Sequence, residues 1–291
     1  MNFPTTSANS FSPVAVMTDK AEAAHTAPAS TLARRALALA DSLAPVLTFV
    51  VVLAAWELAV LAFNIPNFLL PAPSRIAIAL TQTDWFVWLG HIWATLRIAL
   101  TGYILSAVIA IPLGVLLATS PFLSRTLYPL LIVVQSLPVV AIAPIIVVTL
   151  GANDLPRVMI TFLITFFPIV VSSATGVAST PPELLELSRS LRAGTWREIT
   201  QIRLPYALPH IFSALKISTT LAVIGAVVAE FVAADRGLGY FIAISTSFFR
   251  IPAAFVGLII LALMSLLLFQ LVGLLQRRLA PWSLPRDDAS R

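Results

Sequence analysis

The sequence contains no cysteine, two lysines, three histidines and only 11% charged residues. Without cysteine, neither a disulfide framework nor a thiolate metal site or nucleophile can form. Neither Lys20 nor Lys216 follows a glycine, so the chain lacks a GxxxxGKS/T phosphate loop and cannot hydrolyse ATP through one. The histidines lack metal-ligand spacing, and no GxSxG or HExxH motif occurs. These absences predict a chain that is not an enzyme and holds no metal or cofactor of its own.

Apolar residues, in contrast, make up 59% of the 291 residues. Soluble domains carry about 25% charged residues, more than twice the fraction found here, so the composition is that of a membrane protein. A helix needs about 20 apolar residues to cross the ~30 Å hydrocarbon core. Six segments meet this requirement, at residues 43–63, 94–118, 127–149, 157–179, 207–233 and 253–277. The sequence therefore predicts an all-α integral membrane protein with six transmembrane helices.

The two ends of the chain are predicted to be tails on either side of a membrane domain at 41–282. Residues 1–40 are rich in Ser, Thr, Ala and Pro without apolar periodicity, which predicts a disordered tail rather than a signal peptide. Residues 283–291 form the second tail. With the N-terminus inside, thirteen Lys and Arg residues lie on the inner side and five on the outer side. This asymmetry places both termini in the cytoplasm and explains the net charge without a nucleic-acid partner.

Small residues recur at every fourth position in the second and fifth predicted spans. The two rows are Gly102, Ser106, Ala110, Gly114 and Ala118, and Ala214, Ser218, Ala222 and Ala226, with Glu230 next in line. A spacing of four places each row on one helix face, where small side chains let helices approach closely. The rows predict tight helix packing, and they leave open whether the same faces also slide against their neighbours.

Polar side chains inside the apolar blocks are the candidates for a substrate path. They are Gln135, Ser136, Thr165, Ser218 and Glu230. For Gln135 the alternative to a path-lining role is hydrogen bonding between helices. Pro138 and Pro144 kink the third span near Gln135. For Glu230 the alternatives are an ion pair with Arg236, which we favour, and a proton relay.

The most charged segment lies between the fourth and fifth spans, at residues 181–205, here called the 181–205 loop. It contains four leucines at helical spacing: Leu184, Leu185, Leu187 and Leu191. They predict an amphipathic helix with a buried apolar edge. Gly194 and Thr195 then break this helix, and a second one is expected to begin near Trp196. Two short helices with a bend suit a knob that fits a partner's groove.

This loop resembles the EAA motif of permeases from binding-protein-dependent ABC importers with the type I fold. That motif reads Glu-Ala-Ala, three residues, Gly, nine residues and Ile-x-Leu-Pro. Glu186 takes the place of the glutamate, and Ile202, Leu204 and Pro205 form the end at the correct spacing. WELAV at 56–60, PNFLLPAPS at 66–74, IPLGVLLA at 111–118 and GLGYFI at 237–242 resemble the nitrate, sulfonate and taurine branch. The run VVAEFVAADRGLGY at 227–240 also resembles permeases for pyrimidine precursors and riboflavin.

The chain departs from the motif at three positions. Leu187 and Ser188 replace the two alanines, and Arg192 stands where the glycine belongs. Gly194, two residues further on, is expected to supply the missing bend. We expect the shape of the loop to differ from that of the family at Arg192.

What the resemblance implies is a transport subunit of the bacterial inner membrane. Two copies, expected to be identical, would form the pathway, two ATPase subunits would bind the ATP and dock on the 181–205 loops, and a periplasmic binding protein would deliver the solute. The implied coupling residues are Glu183, Glu186, Leu187, Arg189, Leu191, Arg192, Gly194, Trp196, Ile202, Leu204 and Pro205. Among them Glu186 and Arg189 are the expected polar contacts. The solute would be of the sulfonate, taurine or nitrate type, or a pyrimidine or vitamin precursor.

The alternative function is a secondary transporter or channel, for which paired ionisable groups at one membrane depth are expected. Only Glu57 and Glu230 are acids within apolar blocks. The sequence leads us to expect no basic partner for either of them at the same depth. No internal repeat relates the two halves of the chain, so an inverted-repeat transporter has no support in the sequence.

Overall fold

The computed structural model describes residues 31–284, with side chains from residue 43 onward. Most of the two predicted tails, residues 1–30 and 285–291, lies outside the described residues. Residues 31–40, which we expected to belong to the first tail, are helical. The chain divides into two units at residues 58 and 59. The described part of the first unit, residues 31–58, is most of the first helix, Thr31–Ala62. All the sites discussed below lie in the second unit.

The regular elements of residues 31–284 are helices. They are α1 (Thr31–Ala62), α2 (Pro73–Thr81), α3 (Trp85–Thr119), α4 (Pro121–Ser136), α5 (Val139–Leu150), α6 (Asp154–Ala178), α7 (Pro182–Ser190), α8 (Thr195–Glu198), a π-helical segment (Ile199–Arg203), α9 (Leu204–Ala233), α10 (Leu238–Ser247), α11 (Ile251–Leu279) and a 3₁₀ turn (Pro281–Ser283). Five of these stretches are long and apolar enough to cross a membrane, and α4 with α5 makes a sixth if the bent pair counts as one span.

The third predicted span is broken rather than kinked. Its two halves, α4 and α5, meet at an angle of 91°. The break falls at Leu137 and Pro138, because the residue before a proline is driven out of the helical region and Leu137 accordingly has ψ 128°. Pro144 lies within α5, which continues past it. The proline that breaks the span is therefore Pro138.

The core of the second unit forms where α6 packs between α3 and α9. The small residues predicted to face a neighbouring helix do so. A Cβ atom added at Gly102 would lie 2.6 Å from the Cβ atom of Thr161, and one added at Gly114 would lie 2.6 Å from that of Ser173. On α9, Gly225 faces α6 equally closely, with an added Cβ 2.8 Å from the Cα atom of Thr161. The prediction of tight helix packing is confirmed.

Two short helices, α2 and α10, had not been predicted as separate elements. Helix α2 begins at Pro73, whose fixed φ suits the first helical turn, and it packs against α11. Helix α10 connects α9 and α11 and also contacts α3. Helix α3 begins at Trp85, nine residues before the predicted start of its span, because Asp84 caps it by accepting the amide of Phe86 at 2.9 Å. These elements sit at the end of the bundle opposite the 181–205 loop.

Candidate functional site

The first half of the 181–205 loop is helix α7, which ends in a Schellman turn. The amide of Ala193 donates to the carbonyl of Ser188 at 3.0 Å, and the amide of Arg192 donates to the carbonyl of Arg189 at 2.9 Å. This pair of bonds requires a left-handed residue just after the helix, where glycine is preferred. Arg192 occupies that position with φ +52°. Arg192 thus adopts the conformation that suits glycine.

Gly194 has an extended backbone, with φ −68° and ψ 153°. The expectation that Gly194 supplies the bend is therefore wrong. A Cβ atom added there would meet nothing within 4 Å, so neither the backbone conformation nor the space around the Cα atom requires glycine at this position. The backbone turn therefore occurs at Arg192 itself, which is the position that glycine occupies in the EAA motif.

The apolar side chains of the 181–205 loop are exposed. The exposed fractions are 57% for Leu187, 73% for Leu191 and 78% for Trp196. The apolar edge predicted to be buried was formed by Leu184, Leu185, Leu187 and Leu191. It is not buried within this chain, since three of these leucines are exposed and only Ser188 of α7 is buried. Large apolar side chains clustered on a projecting loop mark an interaction surface. The charged side chains of α7, Glu183, Glu186 and Arg189, are exposed beside them.

The second half of the loop is continuous with a membrane helix. Helix α8 begins at Thr195, one residue before the start predicted near Trp196. It passes through the π-helical segment into α9 without a break, giving one helical stretch Thr195–Ala233. The half-buried Glu198–Arg203 ion pair, at 2.7 Å, spans the extra residue of the π segment. Ile202, Leu204 and Pro205 are half-buried where this stretch joins the bundle.

The structure separates the five candidate path residues into three groups. Gln135 and Ser136 are exposed at the end of α4, beside the break with α5. Thr165 is buried between α6 and α3, where its hydroxyl lies 2.6 Å from that of Ser106. Ser218 is fully buried on the packing face of α9. Thr165 and Ser218 therefore form a second, buried group, and Glu230 forms the third. Of the five candidates, only Gln135 and Ser136 are exposed at the surface of the chain.

Glu230 is buried near the C-terminal end of α9 and binds the start of α10. Its Oε2 atom accepts the amide of Gly239 at 2.7 Å. The preceding two amides are also bound by side chains, that of Leu238 by Thr95 Oγ1 at 2.8 Å and that of Gly237 by His91 Nδ1 at 3.1 Å. Three side chains from α3 and α9 thus satisfy the three amides that begin α10.

The predicted Glu230–Arg236 ion pair is wrong. Arg236 pairs instead with its neighbour Asp235, at 3.7 Å. The Glu230 carboxylate lies so close to the backbone at residues 237 and 239 that only glycine fits at these two positions. A Cβ atom on Gly237 would overlap the carboxylate, and one on Gly239 would lie 2.9 Å from its Oε2 atom. Gly237 also has φ +123°, a conformation that side chains rarely allow.

A cluster of ion pairs next to Glu230 was missed by the sequence reasoning. Arg157, whose side chain is 10% exposed, lies between Asp154 at 3.4 Å and Asp235 at 3.7 Å, and Asp154 also pairs with Arg97. The Nε atom of Arg157 donates to the carbonyl of Ala233 at 2.9 Å, which ties the start of α6 to the end of α9. A polar cavity of about 210 Å³ lies among these side chains. The one signal for this cluster in the sequence was that Arg97 and Arg157 are among the five basic residues predicted to lie on the outer side.

Comparison with known proteins places the chain in a family. Residues 110–282, more than half of the chain, match the family described as "Binding-protein-dependent transport system inner membrane component". The chain belongs to this family. It is a multi-pass permease subunit of the ABC importers of type I, and the suspected branch is confirmed by its relatives.

The relatives include permeases named for several solutes. The riboflavin transport system permease protein of Chloroflexus aurantiacus is 37% identical over 81% of this chain and 88% of its own length. The formylaminopyrimidine transport permease protein of Halalkalibacterium halodurans is 35% identical over 83% of this chain and 96% of its own. The taurine transport system permease protein of Escherichia coli is 28% identical over 78% and 84%.

Among solved structures, a chain of the MetNI methionine ABC transporter in an inward-facing conformation is similar in fold. Its TM-score is 0.57, with 22% identity, and the alignment covers 69% of this chain and 98% of that one. The predicted type I importer fold is thereby confirmed.

Proposed function

We propose that this permease moves a small organic solute into the cell and is driven by a separate ATPase that docks on the 181–205 loop. A periplasmic binding protein delivers the solute, and two copies of the chain enclose the pathway. Both termini and the loop face the cytoplasm, in accord with the distribution of Lys and Arg.

The observation that carries the docking proposal is the exposure of Leu187, Leu191 and Trp196 on one projecting loop. Isolated in water, these side chains leave a large apolar area uncovered, and covering such a patch is what drives association. The neighbouring charges of Glu186 and Arg189, opposite in sign and one helical turn apart, fix the orientation of a partner more than they add affinity.

The break between α4 and α5 supports a role in the solute path. Non-helical backbone within a membrane is tolerated where it is buried in protein or lines a wet cavity. Gln135 and Ser136 lie at this break with exposed side chains, although the segment itself is part of a candidate span. In a dimer, the same segment from two copies would present these polar groups to a shared pathway.

The relatives favour a nitrogen heterocycle as the solute. The permeases named for riboflavin and formylaminopyrimidine are 37% and 35% identical to this chain, whereas those named for sulfonates and taurine are each 28% identical. A vitamin or pyrimidine precursor is therefore the proposed solute class, and ligand screening of the partner binding protein tests it.

Docking is tested by co-purification of the chain with the ATPase encoded beside it. Trp196→Ala is expected to lower retention of the ATPase at least tenfold, the loss typical of a central apolar anchor. Trp282→Ala is the matched control, because Trp282 is also exposed, at 64%, but lies outside the loop. Equal retention by both variants would contradict the proposal.

A second arm reverses the charges of Glu186 and Arg189 together. The double variant is expected to release the ATPase and to stop ATP-dependent uptake in reconstituted vesicles. An intact complex with normal uptake would remove these two residues from the docking surface while leaving the apolar anchors to be judged by the Trp196 result.

A further inference from the structure

An apolar groove of about 490 Å³ runs along the membrane face of α3, α9 and α11. Its floor is made of buried small residues, among them Ala99 and Ala222. Its walls are large side chains that remain exposed, including Ile104 at 55%, Leu271 at 60% and Leu275 at 48%. This site is therefore an open groove on the surface of the bundle rather than a closed cavity in the core.

Polar atoms along the groove are already satisfied within the chain. The hydroxyl of Tyr103 donates to the carbonyl of Leu215 at 3.1 Å, and that of Thr219 donates to the carbonyl of Lys216 at 2.7 Å. Water in the groove would find few free hydrogen-bond donors or acceptors, so an apolar occupant is favoured there.

One charged residue, Arg278, lies at the end of this groove. It is the penultimate residue of α11, and its side chain is exposed. None of the ion pairs formed among the side chains of residues 43–284 involves Arg278. The groove thus combines an apolar length with a single positive charge at the helix terminus, where lipid headgroups lie.

We propose that this groove binds an anionic phospholipid, with an acyl chain along the floor and the headgroup phosphate on Arg278. Basic residues beside grooves between membrane helices recognise anionic headgroups, and the groove walls supply the contacts for the chain. An apolar helix from a second copy could cover the floor, but it would leave the guanidinium of Arg278 without an anion. The proposal does not depend on the solute or on the docking of an ATPase.

A second groove in the same bundle provides an internal comparison. It has a volume of about 300 Å³ between α3, α4 and α6, and residues such as Leu130 and Phe166 line it. No charged residue lines it, so we expect lipid there to show no headgroup preference.

The test is native mass spectrometry of the purified complex with phosphatidylglycerol or phosphatidylcholine carrying identical acyl chains. We expect one phosphatidylglycerol per chain to bind about fivefold more tightly than phosphatidylcholine, the ratio that one basic residue near a membrane surface provides. Arg278→Gln is expected to remove this preference. Arg277→Gln is expected to keep it, because Arg277 has the same charge and exposure but does not line the groove.

Two results would overturn the proposal. Equal effects of Arg277→Gln and Arg278→Gln would mean that the preference comes from diffuse charge at the end of α11. The absence of native cysteine allows a second measurement, in which Leu271→Cys introduces the only thiol of the chain. Efficient disulfide cross-linking between two copies through this thiol would mean that protein, not lipid, occupies the groove.

Discussion

Replacement of Arg192 by glycine is expected to stabilise the 181–205 loop. Arg192 holds the left-handed position of the Schellman turn with φ +52°. The left-handed conformation costs a residue with a Cβ atom about 1–2 kcal/mol, and glycine avoids this cost. Glycine also loses more conformational entropy on folding, which offsets about 0.5–1 kcal/mol of that gain. The net stabilisation expected for Arg192→Gly is about 0.5–1 kcal/mol, or roughly twofold to fivefold in a local opening equilibrium.

Hydrogen exchange measures this opening directly, because the amide of Ala193 is bonded to Ser188 only while the turn is closed. Exchange of the peptide containing Ala193 is expected to slow by that factor in Arg192→Gly. Arg192→Ala controls for loss of the guanidinium and is expected to show no such slowing, because alanine keeps the Cβ atom. Equal slowing in both variants, or faster exchange in Arg192→Gly, would refute the backbone explanation.

Three further substitutions test the packing inside the membrane. Gly237→Ala is expected to cost about 3 kcal/mol or more through backbone strain and overlap with the Glu230 carboxylate, seen as loss of folded protein in detergent extraction. Gly114→Ala is expected to lower the unfolding temperature by overpacking α3 against α6, at about 1–3 kcal/mol, whereas Gly90→Ala, with nothing within 4 Å, is its neutral control. Glu230→Gln keeps an oxygen acceptor for the Gly239 amide, so uptake is expected to stay within about twofold of that of the unsubstituted chain at every pH. Loss of uptake by a folded Glu230→Gln variant, or an altered pH profile, would instead support the proton relay.

The parts of the fold that the sequence predicted are those governed by periodicity. Length and hydropathy located the spans, and the spacing of four predicted where Gly102 and Gly114 meet α6, because a helix face is set by local geometry alone. The start of the second loop helix was predicted to within one residue, near Trp196 against Thr195 in the structure, from a different local signal, the Gly-Thr pair that interrupts a helical pattern.

The parts that could not be predicted depend on partners that only the tertiary structure brings together. Glu230 was expected to bind a side chain of opposite charge, but burial places it against backbone amides of α10, which no residue pattern records. Arg157, at the start of α6, likewise forms an ion pair with Asp235, which follows the neighbouring helix α9. At Arg192 the sequence comparison identified the right position, but the expectation that Gly194 would take over the turn ignored the hydrogen bonds that fix the left-handed residue directly after α7.

The uninterrupted helical stretch Thr195–Ala233 has a mechanical consequence. At 1.5 Å per residue its 39 residues measure about 58 Å, nearly twice the ~30 Å hydrocarbon thickness. If this stretch tilted about its midpoint as a straight rod, about 5° of tilt would displace Trp196 and Glu230 sideways by roughly 2 Å in opposite directions. A hydrogen bond does not survive such a displacement, yet the start of α10 is bonded to Glu230 on this stretch and to His91 and Thr95 on α3. We therefore expect any such tilt to move the N-terminal end of α3 and the C-terminal end of α9 together, with α10 held between them.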